Sequence, residues 1–299
     1  MFKGCGTALV TPFTRDGALD QATLRALVRR QIEAGIDFLV PCGTTGENPT
    51  LTREEHLRVV EITLEEAKGV VPVLAGAGGY NTAEVIELAK EVESVGADGI
   101  LSVTPYYNKP TQEGLYHHYK AIATAVSLPI VVYSVQGRTG VNLEPLTLKR
   151  LAEIDNIVGV KEASGNLAQV AAIVHHVPER FAVLSGDDAV TIAVIALGGR
   201  GLISTSGNEI PGEMAHIVRN SLDGNFAAAR DIQRRFFALM EVNFIESNPI
   251  PVKAAMAAMG LLEPVWRLPL VPPSPISQKK IESVLDGLGL LADRSVHAG

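Results

Sequence analysis

The chain has 299 residues, 46% of them hydrophobic, enough apolar side chain for a large core, which excludes a mainly disordered chain. Its 26 basic against 33 acidic residues give a net charge of −7, which argues against a nucleic-acid partner and against docking on an anionic membrane. No apolar run has the ~18 residues of a spanning helix, Pro12 interrupts any signal-peptide core, and two cysteines, Cys5 and Cys42, cannot build a disulfide framework, so a reduced, cytoplasmic setting is expected.

Short runs rich in Val, Ile and Leu, bounded by glycine or proline, read as buried strands. Eight occur, at residues 6–10, 37–40, 72–75, 99–103, 129–133, 157–161, 182–185 and 201–204. Segments of helical period lie between them. Thr52 with Glu55 forms a capping box ahead of Leu57, Val60 and Leu64, and Asn81 with Glu84 makes a weaker start ahead of Val85, Leu88 and Val92. Gly35, Gly69 and Gly96 stand where helices should end. Eight strand–helix units in succession predict the α/β class: a closed (β/α)8 TIM barrel over residues 1–224 rather than an open doubly wound sheet. After the eighth strand only helical texture remains, at 226–246, 252–260 and 275–291, with a Pro-rich link at 268–275. Residues 225–299 are therefore expected to form a C-terminal helical domain packed on the barrel.

Such barrels build their sites at the carboxyl ends of the strands. Lys161 directly continues the apolar run Ile157-Val158-Gly159-Val160. A lysine inside a barrel mouth loses water, its pKa falls, and the neutral amine becomes a nucleophile for carbonyl substrates. Position alone also allows an ordinary surface cation beside Glu162. Tyr133 ends the neighbouring fifth strand, either as a proton carrier next to Lys161 or as an aromatic cap on the core. Gly43-Thr44-Thr45-Gly46-Glu47 offers amides and two hydroxyls to a carboxylate, or is a plain turn before the capped helix. Arg138, between Gly137 and Thr139-Gly140, supplies a forked cation at the mouth or a solvated loop charge. Of seven histidines six lie in helical stretches and His297 in the tail, with no metal-ligand spacing; neither a metal nor a cofactor is expected.

Several ordered motifs resemble the dihydrodipicolinate synthases, within the pyruvate-dependent class I aldolases that include N-acetylneuraminate lyase. They are Gly43–Glu47, Tyr106-Tyr107-Asn108-Lys109-Pro110, Tyr133, Gly137–Gly140, Gly159–Ala163, Leu184–Asp188 and Asn248–Lys253. The resemblance implies condensation of pyruvate with aspartate 4-semialdehyde through a Schiff base on Lys161, with Tyr133 as general acid/base. It implies that Thr44 links Tyr133 to Tyr107, which reaches in from a neighbouring subunit of a homo-oligomer, a tetramer built as a dimer of dimers. Thr45 would hold the pyruvate carboxylate, Gly186 and Ile203 would flank the Schiff base, and Arg138 would bind the second substrate. His56, Glu84 and Tyr106 match the lysine feedback site of some members, whereas Asn48, Pro49, Arg53 and Tyr80 depart from it. Ser134 and Gln136 also replace the usual asparagine and proline beside Tyr133, which bears on second-substrate choice. The alternative is another aldolase of the same superfamily acting on a 2-keto-3-deoxy sugar acid or on N-acetylneuraminate.

Overall fold

A computed structural model describes residues 2–291; residues 292–299 of the expected C-terminal domain, His297 among them, lie outside the described residues. The chain runs β1 (Gly4–Ala8), α1 (Gln21–Glu33), β2 (Phe38–Val40), α2 (Arg53–Ala67), β3 (Leu74–Gly76), α3 (Thr82–Ser94), β4 (Gly99–Val103) and α4 (Gln112–Ala125). It continues through β5 (Ile130–Ser134), α5 (Gln136–Thr139), α6 (Pro145–Leu151), β6 (Ile157–Glu162), α7 (Leu167–His176), β7 (Ala182–Ser185), α8 (Thr191–Ala196), β8 (Gly201–Ser204) and α9 (Pro211–Leu222). Helices α10 (Phe226–Val242), α11 (Ile250–Ala258) and α12 (Pro275–Leu288) follow. Among the described residues no helix is long and apolar enough to cross a membrane.

All eight strands run parallel, in the order β2-β1-β8-β7-β6-β5-β4-β3. The barrel of the sequence reading is thus present. It closes between β2 and β3 through a single bridge, Leu39 to Val73, with the Leu39 amide donating to the Pro72 carbonyl at 3.0 Å. Alternation along the strands divides the core in two. One set, including Phe38, Val40, Leu74, Leu101, Val131, Leu184 and Ile203, fills the barrel interior. The other, including Leu39, Ile100, Val132 and Val160, packs outward against helical residues such as Val60, Leu88, Ile122 and Ile173. Gly6 is required where the Phe38 ring crosses the interior, because a Cβ there would sit 2.2 Å from the ring.

Strand ends depart from expectation for local reasons. β1 lies earlier than 6–10, and the Val10 amide donates to the Asn208 side chain at 3.0 Å. β3 begins at Leu74 because Pro72 has no amide proton and the Val73 amide is taken by Asp98 at 2.8 Å. β6 continues one residue further than 157–161, to Glu162, which keeps Lys161 inside the ladder. The Thr52–Glu55 capping box forms as expected, and Asn81 caps α3 by accepting from the Ala83 amide. The two short helices α5 and α6 after β5 were not foreseen, and α10 stops at Val242, short of the expected end.

Candidate active site

Tyr133 and Lys161 are register partners on adjacent strands, so both side chains leave the ladder at one level and on one side. The Lys161 Nζ lies 4.4 Å from the Tyr133 ring centroid. Their strands place them in the barrel mouth, where a cavity of about 220 Å³ is lined by Thr44, Tyr133, Arg138, Tyr106, Leu101 and Gly78, among others. Lys161 is only 6% exposed. Burial pushes its ammonium down to about 8; the Asp188 carboxylate opposes this and the Arg138 cation adds to it. Burial raises the Tyr133 phenol, while the Arg138 cation and the neighbouring Thr44 hydroxyl pull it back. The site therefore holds an amine that is neutral in a useful fraction near neutral pH, beside a phenol that keeps its proton.

The surrounding groups are fixed individually. Gly186 backs the lysine stem: a Cβ there would lie 3.1 Å from Lys161 Cε and 2.7 Å from Ala163 Cβ, so only glycine fits. Ile203, on β8, belongs to the barrel-interior cluster that also contains Tyr133. Thr45 is buried and its hydroxyl accepts from the Asn248 amide at 2.9 Å. Arg138, on α5, donates to the Asn248 carbonyl at 3.2 Å and lines the cavity. Asp188 accepts from the Ser204 hydroxyl at 2.5 Å and from the Thr205 and Ser206 amides at 3.1 and 2.9 Å. Burial raises its carboxyl, those hydrogen bonds favour the charged form in opposition, and the carboxylate acts on Lys161 from a distance.

Thr44, Tyr133 and Arg138 line the cavity, Lys161 lies beside Tyr133 and against Gly186 just beyond that lining, and Thr45 and Ile203 are buried behind it. Tyr107 does not join them within one chain: it is 90% exposed, at a left-handed φ of 65°, and outside the cavity lining. Tyr106 lines the cavity and packs edge-on against Tyr80 at 5.1 Å; burial raises its phenol, with Tyr80 and then Glu84 adding to it. His56 is buried, its Nδ1 2.8 Å from the Asn48 Oδ1, and burial lowers its pKa to about 4. Asn48 carries the line from His56 to the same cavity.

The profile of the family described as "Dihydrodipicolinate synthetase family" matches residues 1–288. The chain belongs to that family. The 4-hydroxy-tetrahydrodipicolinate synthase of Koribacter versatilis is 54% identical over 295 residues, covering 98% of each chain. That of Chloroherpeton thalassium is 51% identical over 290 residues, covering 97% of this chain and 96% of its own. Among solved structures, dihydrodipicolinate synthase from Aquifex aeolicus superposes with a TM-score of 0.95 at 44% identity, covering 98% of this chain and all of that one. The chloride-inhibited enzyme of Acinetobacter baumannii, solved with pyruvate, gives 0.96 at 42% identity, covering 97% and 100%.

Within this dihydrodipicolinate synthetase chain, three contributors were missed from sequence. Asp188 was quoted in a motif without a role. Asn248 and Lys253 were quoted likewise, although they lie more than two hundred residues from their partners Thr45 and Glu47. Lys253 carried a usable signal, being the single charge in the apolar run of α11. Ser134 proves remote from the chemistry: it faces away from Tyr133, and its hydroxyl accepts from the Leu143 amide at 3.2 Å.

Proposed function

We propose that the chain condenses pyruvate with aspartate 4-semialdehyde through a Schiff base on Lys161 to give 4-hydroxy-tetrahydrodipicolinate, a step of lysine and diaminopimelate biosynthesis. The carrying observation is the buried, depressed Lys161 amine beside Tyr133 at the ends of β6 and β5. The names of the relatives and the pyruvate bound to the A. baumannii enzyme support both substrates and the first of them.

The neutral amine adds to C2 of pyruvate and water leaves, giving an iminium. Loss of a methyl proton converts this to an enamine, whose carbon attacks the aldehyde carbon of the second substrate; the aldehyde oxygen takes a proton and becomes a hydroxyl. The amine of the semialdehyde then adds to the iminium carbon and expels Lys161, which closes the ring. Tyr133 passes the protons, oriented by Thr44. Thr45 holds the pyruvate carboxylate and Arg138 the carboxylate of the semialdehyde, where its forked donors suit a planar anion. Gly186 and Ile203 leave the Schiff base room. Reduction with borohydride in the presence of pyruvate should add a stable mass to Lys161. No adduct, or an adduct on another lysine, overturns the reading.

The exposed, strained Tyr107 supports assembly as a homo-oligomer in which it completes a neighbour's relay, with a tetramer of two dimers as the form. The test mixes inactive Lys161→Ala and Tyr107→Phe subunits. Action in trans leaves one site of each mixed dimer intact and returns about half of a dimer's activity; no recovery refutes it.

A further inference from the structure

We propose that Asn248 is a positioning residue that sets the two carboxylate-binding groups of the site from outside the barrel. The proposal rests on the Schiff-base reading above. Asn248 lies between α10 and α11, yet its side-chain amide donates to the Thr45 hydroxyl at 2.9 Å and its main-chain carbonyl accepts from Arg138 at 3.2 Å. Both Asn248 and Thr45 are buried, at 7% and 3% exposure, so solvent offers little competition for the bond between them. A hydroxyl has one proton and two lone pairs. With a lone pair already engaged by the Asn248 amide, the Thr45 proton is left to be donated to an anion brought against the loop of Thr44 and Thr45, which reaches the cavity through Thr44. Asn248 thus fixes Thr45 as a donor, the role a carboxylate requires.

The residue can do this because its segment is itself anchored. One turn further on, Lys253 forms a buried ion pair with Glu47, at the far end of the same loop that carries Thr44 and Thr45. The Asn248 Oδ1 is buried without a partner, so the side chain is committed to Thr45 alone. Its two outputs are chemically separate: the side chain serves the pyruvate group, the main chain the Arg138 group. Substitution therefore removes the first and spares the second, which a general packing role would not do.

The experiment measures the pyruvate concentration giving half-maximal borohydride trapping on the full-length enzyme with pyruvate alone. The KM for the semialdehyde at saturating pyruvate is measured beside it. Asn248→Ala should raise the half-saturating pyruvate concentration at least ~10-fold, the scale of a lost hydrogen bond that orients a donor onto a charge. Asn248→Asp should do the same, because a carboxylate only accepts and would turn the Thr45 proton toward itself. The semialdehyde KM should move less than about 3-fold in both. Thr45→Val should match Asn248→Ala, and the double variant should be no worse than either. The isosteric Asn248→Asp carries the test if Asn248→Ala does not fold. Unchanged pyruvate saturation in either variant, equal increases in both constants, or additive losses in the double variant overturn the proposal. Absence of any adduct in the unmodified enzyme would instead defeat the Schiff-base reading.

Discussion

Lys161 and Lys253 are both buried, and each holds its ammonium 4.4 Å from an aromatic ring centroid, Tyr133 for the first and Phe13 for the second. Burial lowers both, but their countercharges differ. Lys253 is in direct contact with Glu47, and Arg267, paired with Glu55 at 2.6 Å, also lies over the Phe13 ring, 4.2 Å from its centroid. Lys161 has only Asp188, acting through space and already saturated by Ser204, Thr205 and Ser206. The same side chain in the same burial becomes a tether where its charge is matched on contact and a nucleophile where it is not.

The largest effect that would sharpen this contrast is the loss of at least ~10³-fold in turnover expected for Lys161→Ala, since the covalent route disappears. Thermal stability should hold, because no contact ion pair is broken. Retained turnover would break the comparison at its catalytic end. Lys253→Met should do the reverse. It strands a buried carboxylate and should cost about 3–5 kcal/mol in urea unfolding, with Glu47→Gln on top recovering much of it. An adduct formed by the Lys253→Met enzyme should still map to Lys161. A stability loss below about 1 kcal/mol would show that the pair is no tether.

Arg138→Ala should raise the semialdehyde KM ~10-fold or more and the pyruvate KM little, the expected cost of removing a charged donor from one carboxylate only. Comparable changes in both would remove the division between the two ends of the cavity. The finest test is the pH dependence of adduct formation. Only the neutral amine attacks, so the rate should climb with pH through a midpoint near 8, well below the ordinary lysine value of 10.5. Asp188→Asn removes a carboxylate that favours the ammonium and should move the midpoint down. Arg138→Ala removes a cation that disfavours it and should move the midpoint up. A midpoint near the ordinary value would mean that burial does not leave the Lys161 amine poised to attack.

Most of the barrel was legible because its signals are local, and βα spacing made Lys161 and Tyr133 neighbours. Position alone left Lys161 open to being a surface cation and Tyr133 a core cap, and the ordered motifs, not the local run, singled them out. The capping box at Thr52 is written within four residues. Strand limits were less legible where a distant side chain competes for an amide, as Asp98 does at Val73. The struts were not legible at all. Nothing near Asn248 names Thr45 as its partner, because that contact exists only once α10 has returned the chain to the barrel mouth. Tyr107 illustrates a different limit: its own chain gives it no partner in the cavity, and a motif cannot say to which subunit a side chain belongs.

The closure of the barrel carries one more consequence. β5 and β6 run in register from Val131 to Ser134, after a shift at Ile130, whereas β2 and β3 meet at one bridge, below a point where Gly76 must be glycine because a Cβ would fall 2.0 Å from the Cys42 carbonyl oxygen. The ladder is paired over four successive residues around Lys161 and Tyr133, and is reduced to two backbone hydrogen bonds, Leu39 to Pro72 at 3.0 Å and Gly76 to Pro41 at 2.9 Å, beneath the loop bearing Thr44 and Thr45. Breathing should therefore concentrate at that seam, with the amides of Leu39 and Gly76 exchanging with solvent deuterium ahead of those along β5 and β6. The pairing that holds Lys161 beside Tyr133 lies in the fully laddered part of the barrel and should keep its protection.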